Sequence, residues 1–429
     1  MADYLITPQK LHGKICVPGS KSAAHRGIIA AALAGGTSLV KNCGNAQDIA
    51  VTAAGMAALG AKIECVGVGE YQISGITATS LSESVHIDCG ESGSTLRFLI
   101  PIALAIGGDF TFHGRGRLGE RPLDSFYPIF QACGIKWNKP ADGIIRTIGQ
   151  LKAGNYRLSG AVSSQFVTGM LLALPLLGGD SEVHIDGRLE SAPYVDLTLQ
   201  VMHDFGVTVT QPRLGVFCIP GRQTYSPQDF LVEGDWSQAA FWLVAAALGS
   251  ELAVEGLRHD SCQGDKAILQ FMAEAGYCPQ WSDAGLQILG QGRCGIVADV
   301  TDCPDLVPPL AVLMAFLPGE SQIIGAARLR IKESDRLQAM TETLNSLGAT
   351  VKELAEGLII QGVESIKGTK IASFGDHRIV MAAAIAASRA VGAMHISGAE
   401  AVNKSYPAFF EHMKMLGGAG QWVDIGVND

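Results

Sequence analysis

Long apolar segments are absent from this sequence of 429 residues. Apolar runs such as Phe98–Ile106 are far shorter than the roughly 20 residues that a membrane-spanning helix needs. The N-terminus has neither the charged-then-apolar pattern of a signal peptide nor an Arg/Ser-rich transit segment. We therefore expect a soluble, cytoplasmic protein without a membrane partner.

Positive charge, paired cysteines and metal-ligand patterns are scarce as well. The formal net charge is −9, so we expect no nucleic-acid partner, because binding a phosphate backbone needs a basic face. The ten cysteines include no Cys-x-x-Cys pair, and Cys43, Cys65, Cys89 and Cys133 are predicted to be small core residues. The histidines show no His-x-x-His spacing, so we predict no metal site.

Glycine and apolar residues, in contrast, are plentiful and regularly placed. With 48% hydrophobic residues, a chain of 429 residues is too long for one ordinary core and predicts two domains. Six Ala- or Leu-rich stretches each end in a glycine turn, and successive turns lie about 70 residues apart. These turns are Gly35-Gly36, Gly107-Gly108, Gly178-Gly179, Gly249, Gly319 and Gly392.

Each glycine turn is followed by the same series of patterns. A short alternating strand such as Ser181–Ile185 comes first, then an amphipathic helix, then a glycine and another strand such as Ala61–Ile63. The repeated unit is therefore predicted to be strand–helix–strand–helix–strand, with the Ala- or Leu-rich helix buried all round. Six units divide naturally into two groups of three, which predicts an α/β protein of two similar domains.

Polar residues precede each predicted buried helix. Ordinary capping accounts for most of them, yet helix N-termini also bind anions through free N–H groups and the helix dipole. Lys21 and Arg378 oppose that dipole, so their placement costs stability and indicates an anionic ligand. The six segments are Gly19-Ser20-Lys21-Ser22, Ser92-Gly93-Ser94-Thr95, Ser163-Ser164-Gln165, Asp235-Trp236-Ser237, Cys303-Pro304-Asp305 and Gly375-Asp376-His377-Arg378.

Other basic residues fit the same interpretation. The segment at 19–22 is not a nucleotide-binding P-loop, because Ser20 stands where that motif needs glycine. The Arg- and Gly-rich segment Arg115–Pro122 indicates a shaped loop. Lys332 and Arg336 share a helix face, for which surface ion pairing is the plain alternative.

These segments resemble, in order along the chain, those of the enolpyruvylshikimate-phosphate synthases, a family of enolpyruvyl transferases. The matching motifs are Gly-Ser-Lys-Ser-x-x-x-Arg, Ser-Gly-Ser-Thr-x-Arg, Gly-Glu-Arg-Pro-Leu, Ser-Ser-Gln, Lys-Glu-Ser-Asp-Arg and Gly-Asp-His-Arg, within a span from Lys21 to Lys404. The resemblance implies two domains, each with three repeats around buried parallel helices in an inside-out α/β barrel. It also implies that residues 1–20 and 227–429 form one domain and 21–226 the other, with the active site in the cleft.

The resemblance also assigns roles to particular residues. Shikimate 3-phosphate would be bound by Lys21, Ser22, Arg26, Ser163, Ser164, Gln165, Ser191, Asp305 and Lys332. Phosphoenolpyruvate would be bound by Lys21, Gly93, Arg121, Gln165, Arg336, Arg378 and Lys404. The catalytic residues would be Asp305, Glu333 and Lys21. Glu91 stands where many relatives have asparagine, and Arg328 stands where some of them do.

The implied reaction transfers the enolpyruvyl group of phosphoenolpyruvate to the 5-hydroxyl of shikimate 3-phosphate and releases phosphate, in the shikimate pathway of aromatic amino-acid biosynthesis. It is an addition followed by an elimination, through a tetrahedral intermediate. Asp305 would take the hydroxyl proton, and Glu333 or Lys21 would protonate C3. No step needs an organic cofactor. We expect a monomer in which glyphosate competes for the phosphoenolpyruvate site.

Two other interpretations are weighed against this one. The related enzyme that enolpyruvylates UDP-N-acetylglucosamine uses a catalytic cysteine in the region of residues 112–122, where this chain has none. A non-catalytic repeat scaffold, the second alternative, has no use for Asp305, the Lys332-Glu333 pair and the clustered cations.

Overall fold

The computed structural model describes residues 2–76, 84–161 and 163–423. The α-helices in these ranges are α1 (Lys21–Leu33), α2 (Gln47–Ala58), α3 (Gly93–Ile106), α4 (Tyr127–Cys133), α5 (Ser164–Ala173), α6 (Ala192–Asp204), α7 (Trp236–Ala247), α8 (Ile268–Glu274), α9 (Val307–Met314), α10 (Arg336–Ser346), α11 (His377–Ala386) and α12 (Phe409–Met415). The strands are β1 (Asp3–Thr7), β2 (His12–Cys16), β3 (Thr37–Lys41), β4 (Lys62–Gly67), β5 (Glu70–Ser74), β6 (Val85–Asp88), β7 (Gly108–His113), β8 (Lys136–Asn138), β9 (Ile145–Gly149), β10 (Asn155–Ser159), β11 (Ser181–Asp186), β12 (Thr210–Arg213), β13 (Val216–Ile219), β14 (Phe230–Leu231), β15 (Glu251–Glu255), β16 (Tyr277–Ser282), β17 (Gly285–Gly290), β18 (Val297–Asp299), β19 (Glu320–Ile324), β20 (Thr350–Leu354), β21 (Gly357–Gln361), β22 (Ile366–Lys367), β23 (Lys370–Ala372), β24 (Ala390–Val391), β25 (Met394–Ser397) and β26 (Ala419–Val423).

One repeated unit accounts for most of these elements. In its simplest copy, β6 leads into the buried helix α3, the parallel strand β7 follows, and α4 and the antiparallel hairpin β8–β9 complete it. The sheet order β6-β7-β9-β8 recurs as β10-β11-β13-β12 and as β18-β19-β21-β20. The predicted α/β fold of repeated units is therefore confirmed, with a two-strand hairpin where the sequence pattern predicted a single strand.

Two copies of this repeated strand–helix pattern exchange their first strands. β2 leads into α1 but pairs in parallel with β15, which follows α7. β14 leads into α7 but pairs in parallel with β3, which follows α1. The chain accordingly divides into two compact units: unit 1 runs to Pro18 and resumes at Gly234, and unit 2 is Gly19–Glu233. Of the residues that the resemblance assigned to the first domain, Gly19, Ser20 and 227–233 lie in unit 2, the last group because β14 pairs there. The assigned ends at residues 1 and 424–429 lie outside the described residues.

Each unit has a core of its own, built around Ala-rich helices. In unit 1 the helices α7, α9 and α11 pack against one another, and every residue of α11 is buried. In unit 2, α3 packs against α5, and α1 packs against α2 and α6. Small side chains let helices that are apolar on all sides approach closely, as the sequence predicted for the helix before each glycine turn. In the three described ranges of the chain, no helix is long and apolar enough to cross a membrane.

The cysteines follow the same division between core and surface. Cys43, Cys89 and Cys133 are buried as predicted, and burial raises the pKa of the Cys89 thiol well above its usual range. Cys65 is exposed, so that prediction is wrong. It lies on β4, the outermost strand of the sheet β14-β3-β5-β4, where most side chains face solvent.

Candidate active site

The N-termini of most buried helices are closed by side-chain caps. In unit 2 the hydroxyls of Ser20, Ser92 and Ser163 accept hydrogen bonds from the first turns of α1, α3 and α5. In unit 1 the carboxylates of Asp235 and Asp376 cap α7 and α11. Capping therefore accounts for these residues, and the evidence for an anion site must come from the cations beside them.

Lys21 is the first residue of α1 and forms an ion pair with a residue of the next helix. Its Nζ lies 2.8 Å from Oδ2 of Asp48, in the first turn of α2. A carboxylate at that helix N-terminus is favourable, and it also offsets the unfavourable placement of a lysine at the start of α1. The pair holds the ammonium group at the N-terminal ends of both helices.

Arg26 lies one turn further along α1 and is anchored by several hydrogen bonds. Its Nε donates to Thr198 Oγ1 at 2.8 Å, Nη1 to the Ser22 carbonyl at 2.7 Å, and Nη2 to Thr168 Oγ1 and the Tyr194 carbonyl at 3.2 and 2.8 Å. These bonds use four of the five guanidinium N–H groups. Burial lowers the pKa of Arg26 to about 9. The guanidinium of Arg26 is thus fixed in place, and its fifth N–H group takes no part in these bonds.

The other predicted serines lie at the starts of α5 and α6, the two helices whose threonines bind this arginine. Ser191 precedes α6 in a left-handed conformation with φ of 57°, and its carbonyl accepts from Tyr194 N at 3.1 Å. Because the Tyr194 carbonyl binds Arg26, this turn connects Ser191 to the arginine. Ser163 caps α5, and Ser164 is buried in its first turn.

Gly93, Arg121 and Gln165 come together at the N-terminus of α3. A Cβ atom on Gly93 would lie 2.7 Å from Arg121 Nη1, 3.6 Å from Gln165 Oε1 and 3.7 Å from Arg97 Nη1. The Gln165 amide is oriented from both ends, since Oε1 accepts from Arg97 Nη1 at 2.7 Å and Nε2 donates to Ser94 Oγ at 3.0 Å. The sequence prediction placed Gly93, Arg121 and Gln165 in one site but gave Arg97 no role.

A second cluster lies in unit 1, around Asp305. Its carboxylate accepts from Arg336 Nη1 at 2.8 Å and from Arg378 Nη2 at 3.2 Å, and Lys332 Nζ lies 3.9 Å away. Arg336 is almost fully buried and also bonds Glu333 Oε2 at 2.9 Å. The structure thus brings together five of the six site residues that were predicted in unit 1, the sixth being Lys404.

Opposing effects act on the pKa values in this cluster. Burial alone would raise the pKa of Asp305, but Arg378, Lys332 and Arg336 outweigh it and hold that pKa well below its usual range. Burial lowers the pKa of Lys332, against the effect of Asp305. Asp305 is therefore ionised beside three cations.

Lys404 ends the short 3₁₀ helix Ala399–Lys404, beside a segment that is tied to α7. Gln238 Nε2 donates to Ser405 Oγ at 3.2 Å, and Trp242 Nε1 donates to Tyr406 Oη at 3.2 Å. The next two residues of the chain are therefore fixed to a buried helix.

The structure also gives a place in the site to residues for which the sequence prediction had no role. Asp376 is fully buried and accepts from Arg336 Nε at 2.7 Å, so it anchors the central arginine of unit 1. Asp265 is buried and accepts from the Ser237 hydroxyl. For Arg97, which also had no predicted role, the sequence does hold a signal: it is a charged residue between Leu96 and Phe98 in an otherwise apolar stretch.

Glu91 and Arg328, the two positions at which the resemblance led us to expect asparagine, have contacts in the structure as well. The carboxylate of Glu91 lies beside Gly116, where a Cβ atom would be 2.9 Å from Glu91 Cδ, in the loop that leads to Arg121. Arg328 Nη2 donates to the Thr301 carbonyl at 2.7 Å.

Comparison with solved structures relates this fold to a class of enzymes. The chain superimposes on the EPSP synthase of Acinetobacter baumannii with a TM-score of 0.82 and 25% sequence identity, covering 99% of this chain and 100% of that one. A second structure of EPSP synthase from the same organism has the same fold, with a TM-score of 0.80.

Curated relatives and a family model agree with the structural match. A 3-phosphoshikimate 1-carboxyvinyltransferase of Clostridium kluyveri is 45% identical over 414 residues, which cover 96% of this chain and 97% of the relative. The Clostridium beijerinckii protein of the same name is 44% identical over 439 residues, covering 99% and 100%. The chain is therefore an enzyme of the transferase class. With residues 5–413 matching the model for EPSP synthase (3-phosphoshikimate 1-carboxyvinyltransferase), it belongs to the EPSP synthase family.

Proposed function

We propose that this chain transfers the enolpyruvyl group of phosphoenolpyruvate to the 5-hydroxyl of shikimate 3-phosphate and releases phosphate, as a step of aromatic amino-acid biosynthesis. The observation that supports the residue roles most directly is Asp305 held between Arg336 and Arg378, at 2.8 and 3.2 Å. A carboxylate and several cations fixed together suit a reaction that moves a proton while stabilising anions.

In this proposal Asp305 is the general base that accepts the proton of the 5-hydroxyl as that oxygen attacks C2. A carboxylate with so low a pKa is a weak base. An anionic substrate that binds Arg336 and Arg378 reduces the positive potential at Asp305, so the pKa of Asp305 rises toward its usual range when the substrate is bound. Substrate binding itself thereby strengthens the base.

The proton for C3 comes from Lys21 or Glu333. Lys21 forms an ion pair with Asp48 at 2.8 Å, and an ammonium group is a proton donor. Glu333 accepts a hydrogen bond from Arg336 at 2.9 Å, and a carboxylate in that role is an acceptor without a proton to give. Lys21 is therefore the better proton donor in the addition step, and the same group takes a C3 proton back in the elimination.

The remaining roles are those that the resemblance implies, and Lys21 and Gln165 contact both substrates in this proposal. In unit 2, Gly93, Arg121 and Gln165 bind phosphoenolpyruvate, and Ser22, Arg26, Ser163, Ser164 and Ser191 bind shikimate 3-phosphate. In unit 1, Arg336, Arg378 and Lys404 bind phosphoenolpyruvate, and Lys332 with Asp305 binds shikimate 3-phosphate. Arginine suits bidentate contacts with carboxylate and phosphate, and lysine suits point contacts.

Three further properties belong to this proposal. The enzyme acts as a monomer in the cytoplasm, and glyphosate inhibits it in competition with phosphoenolpyruvate. Size-exclusion chromatography with light scattering checks the first property, and inhibition kinetics check the last.

Phosphate release from phosphoenolpyruvate, measured with and without shikimate 3-phosphate, tests the function. We expect release only when both substrates are present. Replacing shikimate 3-phosphate by UDP-N-acetylglucosamine tests the related enzyme activity, and phosphate release with that acceptor instead would refute the proposal. The absence of release with either acceptor, together with no binding of shikimate 3-phosphate in titration calorimetry, would favour a non-catalytic scaffold.

A further inference from the structure

A chain of buried polar side chains runs beneath the N-termini of three helices in unit 2. His25 Nδ1 of α1 lies 2.7 Å from Thr52 Oγ1 of α2, which lies 2.6 Å from Thr95 Oγ1 of α3. Thr95 Oγ1 donates in turn to Ser92 Oγ, the cap of α3, at 2.8 Å. All four residues are at most 1% exposed, so these bonds form out of contact with water.

The direction of the hydrogen bonds follows from counting protons. The Thr95 hydroxyl has one hydrogen and donates it to Ser92, so Thr95 Oγ1 is the acceptor toward Thr52. Thr52 therefore donates to Thr95, or shares its hydrogen with the Asp48 carbonyl at 3.2 Å. Thr52 then accepts from His25, which requires the hydrogen of the imidazole to be on Nδ1. The chain runs in one direction, from His25 through Thr52 and Thr95 to Ser92.

The surroundings of His25 keep it neutral. Burial lowers the pKa of His25 to about 3; among the charged groups that face it, Asp48 raises that pKa, while Lys21 and Arg26 lower it further. Nε2 is buried and has no hydrogen-bond partner among the residues that the structure describes. A bare lone pair there is less costly than an unpaired N–H, which again favours the hydrogen on Nδ1.

This series of hydrogen bonds adjoins residues of the proposed site at Thr52 and at Ser92. Thr52 lies one turn after Asp48, which forms the 2.8 Å ion pair with Lys21. Ser92 directly precedes Gly93, where a Cβ atom would lie 2.7 Å from Arg121 Nη1. The hydrogen bonds therefore connect the helix start that carries Lys21 with the glycine turn at Gly93.

We propose that His25, Thr52 and Thr95 are positioning residues, which fix the first turns of α1, α2 and α3 relative to one another and so hold Lys21 and Gly93 in the arrangement that binds phosphoenolpyruvate. This inference rests on the proposed function. His25 acts through its Nδ1–H donor alone and neither gains nor loses a proton in turnover.

Two amide substitutions of His25 separate this role from a merely structural one. The amide nitrogen of asparagine lies close to the place of Nδ1, whereas that of glutamine lies closer to Nε2. We expect His25→Asn to keep the KM for phosphoenolpyruvate within threefold of the parent. We expect His25→Gln and Thr52→Val to raise that KM about tenfold, the effect of one buried hydrogen bond, with kcat changed by less than threefold.

Thr147→Val is the matched control. Thr147 is fully buried in β9 of the same unit, and its hydroxyl has no partner in the described part of the chain. We expect its KM and kcat to stay within twofold of the parent. Equal losses in His25→Asn and His25→Gln, or an equal loss in the control, would overturn the proposal.

Nitrogen-15 NMR of the imidazole in the parent protein supplies a measurement that does not depend on activity or on a variant that folds. We expect a single neutral tautomer with hydrogen on Nδ1 from pH 5 to pH 8. An imidazole that titrates near its ordinary pKa, or that carries its hydrogen on Nε2, would overturn the proposal. Failure of the proposed function would instead appear as a parent protein that releases no phosphate, while this spectrum stays as expected.

Discussion

At the scale of single residues, Asp305 shows how a site can favour charge over basicity. Its two carboxylate oxygens accept from Arg336 and Arg378, so an amide at this position keeps the shape but turns a donor group toward an arginine. We expect Asp305→Asn to lose about 100-fold or more in kcat, because the base is gone. We expect the KM for phosphoenolpyruvate to stay level or fall, because the arginines no longer bind a carboxylate.

Steady-state kinetics in both substrates check this prediction, with Asp283→Asn on an exposed turn of the same unit as the control. If Asp305→Asn kept kcat within threefold of the parent, Asp305 would not be the base.

Asp265 carries a second prediction, on stability and pH. Burial, and then the nearby Asp305, raise the pKa of Asp265 from 3.8 to about 7. The folded state therefore binds more protons than the unfolded state between about pH 4 and pH 7, and stability falls as the pH rises through that window. Asp265→Asn removes this titration. As the pH rises from 4.5 to 7.5, we therefore expect the free energy of unfolding of the variant to increase relative to that of the parent by roughly 2–4 kcal/mol.

Thermal unfolding of both proteins across that range measures the difference. An identical pH dependence in the two proteins would show that Asp265 is ionised throughout.

Some site residues could be predicted from the sequence and others could not. The two groups differ in how far along the sequence their partners lie. Lys21, Gly93, Asp305 and Arg378 lie at helix N-termini, a local feature that the sequence shows directly. The partners of Arg26 include Thr198, which is 172 positions away, so only the fold reveals that this arginine is already anchored. Asp48 was missed for the same reason, since nothing near it in sequence marks it as the partner of Lys21.

At the scale of elements, the spacing of the glycine turns predicted the order of strands and helices, because each repeat has its own turn and helix patterns. The strand pairing was not predictable in the same way. β2 and β15 pair across more than 200 positions, and short strands of similar composition fit more than one sheet. The exchange of β2 and β14 sets the limits of the two units, which sequence alone placed a few residues away.

The N-terminus of α3 gives a prediction at this scale. A methyl group on Gly93 would lie 2.7 Å from Arg121 Nη1, closer than a carbon normally approaches, so the guanidinium must move. Glyphosate is longer than phosphoenolpyruvate and fills the same proposed site, so it loses more from the added volume. We expect Gly93→Ala to raise the glyphosate Ki at least tenfold more than it raises the KM for phosphoenolpyruvate, in line with the cost of overpacking a tight site.

Gly119→Ala is a suitable control, because the nearest contact of its Cβ would be Ile144 Cγ1 at 4.0 Å. An equal rise of both constants in Gly93→Ala would place the glycine turn away from the anion.

At the scale of the whole molecule, the two units differ in which segments of the chain supply their hydrophobic cores. The core of unit 2 comes entirely from residues between Ala23 and Val232, a single continuous segment. The core of unit 1 needs both ends of the chain, since Tyr4, Ile6 and Ile15 pack with residues from Trp236 onward. β1 lies between β25 and β26 in its sheet, so its removal leaves β26 without its partner strand.

This difference predicts which parts of the chain fold alone. We expect residues 19–233 to fold by themselves, with native-like circular dichroism and a cooperative thermal transition, because they keep their core and all their strand pairs. We expect residues 234–429 to stay unfolded or form a loose state without a cooperative transition, because they lack β1 and β2.

A circular permutation restores these two strands. Asp3 pairs directly with Val423, so the two strand ends lie within about 5 Å of each other. A short glycine-rich linker after Val423 can therefore lead into residues 2–18. The permuted unit 1 should regain a cooperative transition, whereas a version with Ile6 and Ile15 replaced by Asp should not. Cooperative folding of residues 234–429 without β1 and β2 would show that the core of unit 1 does not depend on the N-terminal segment.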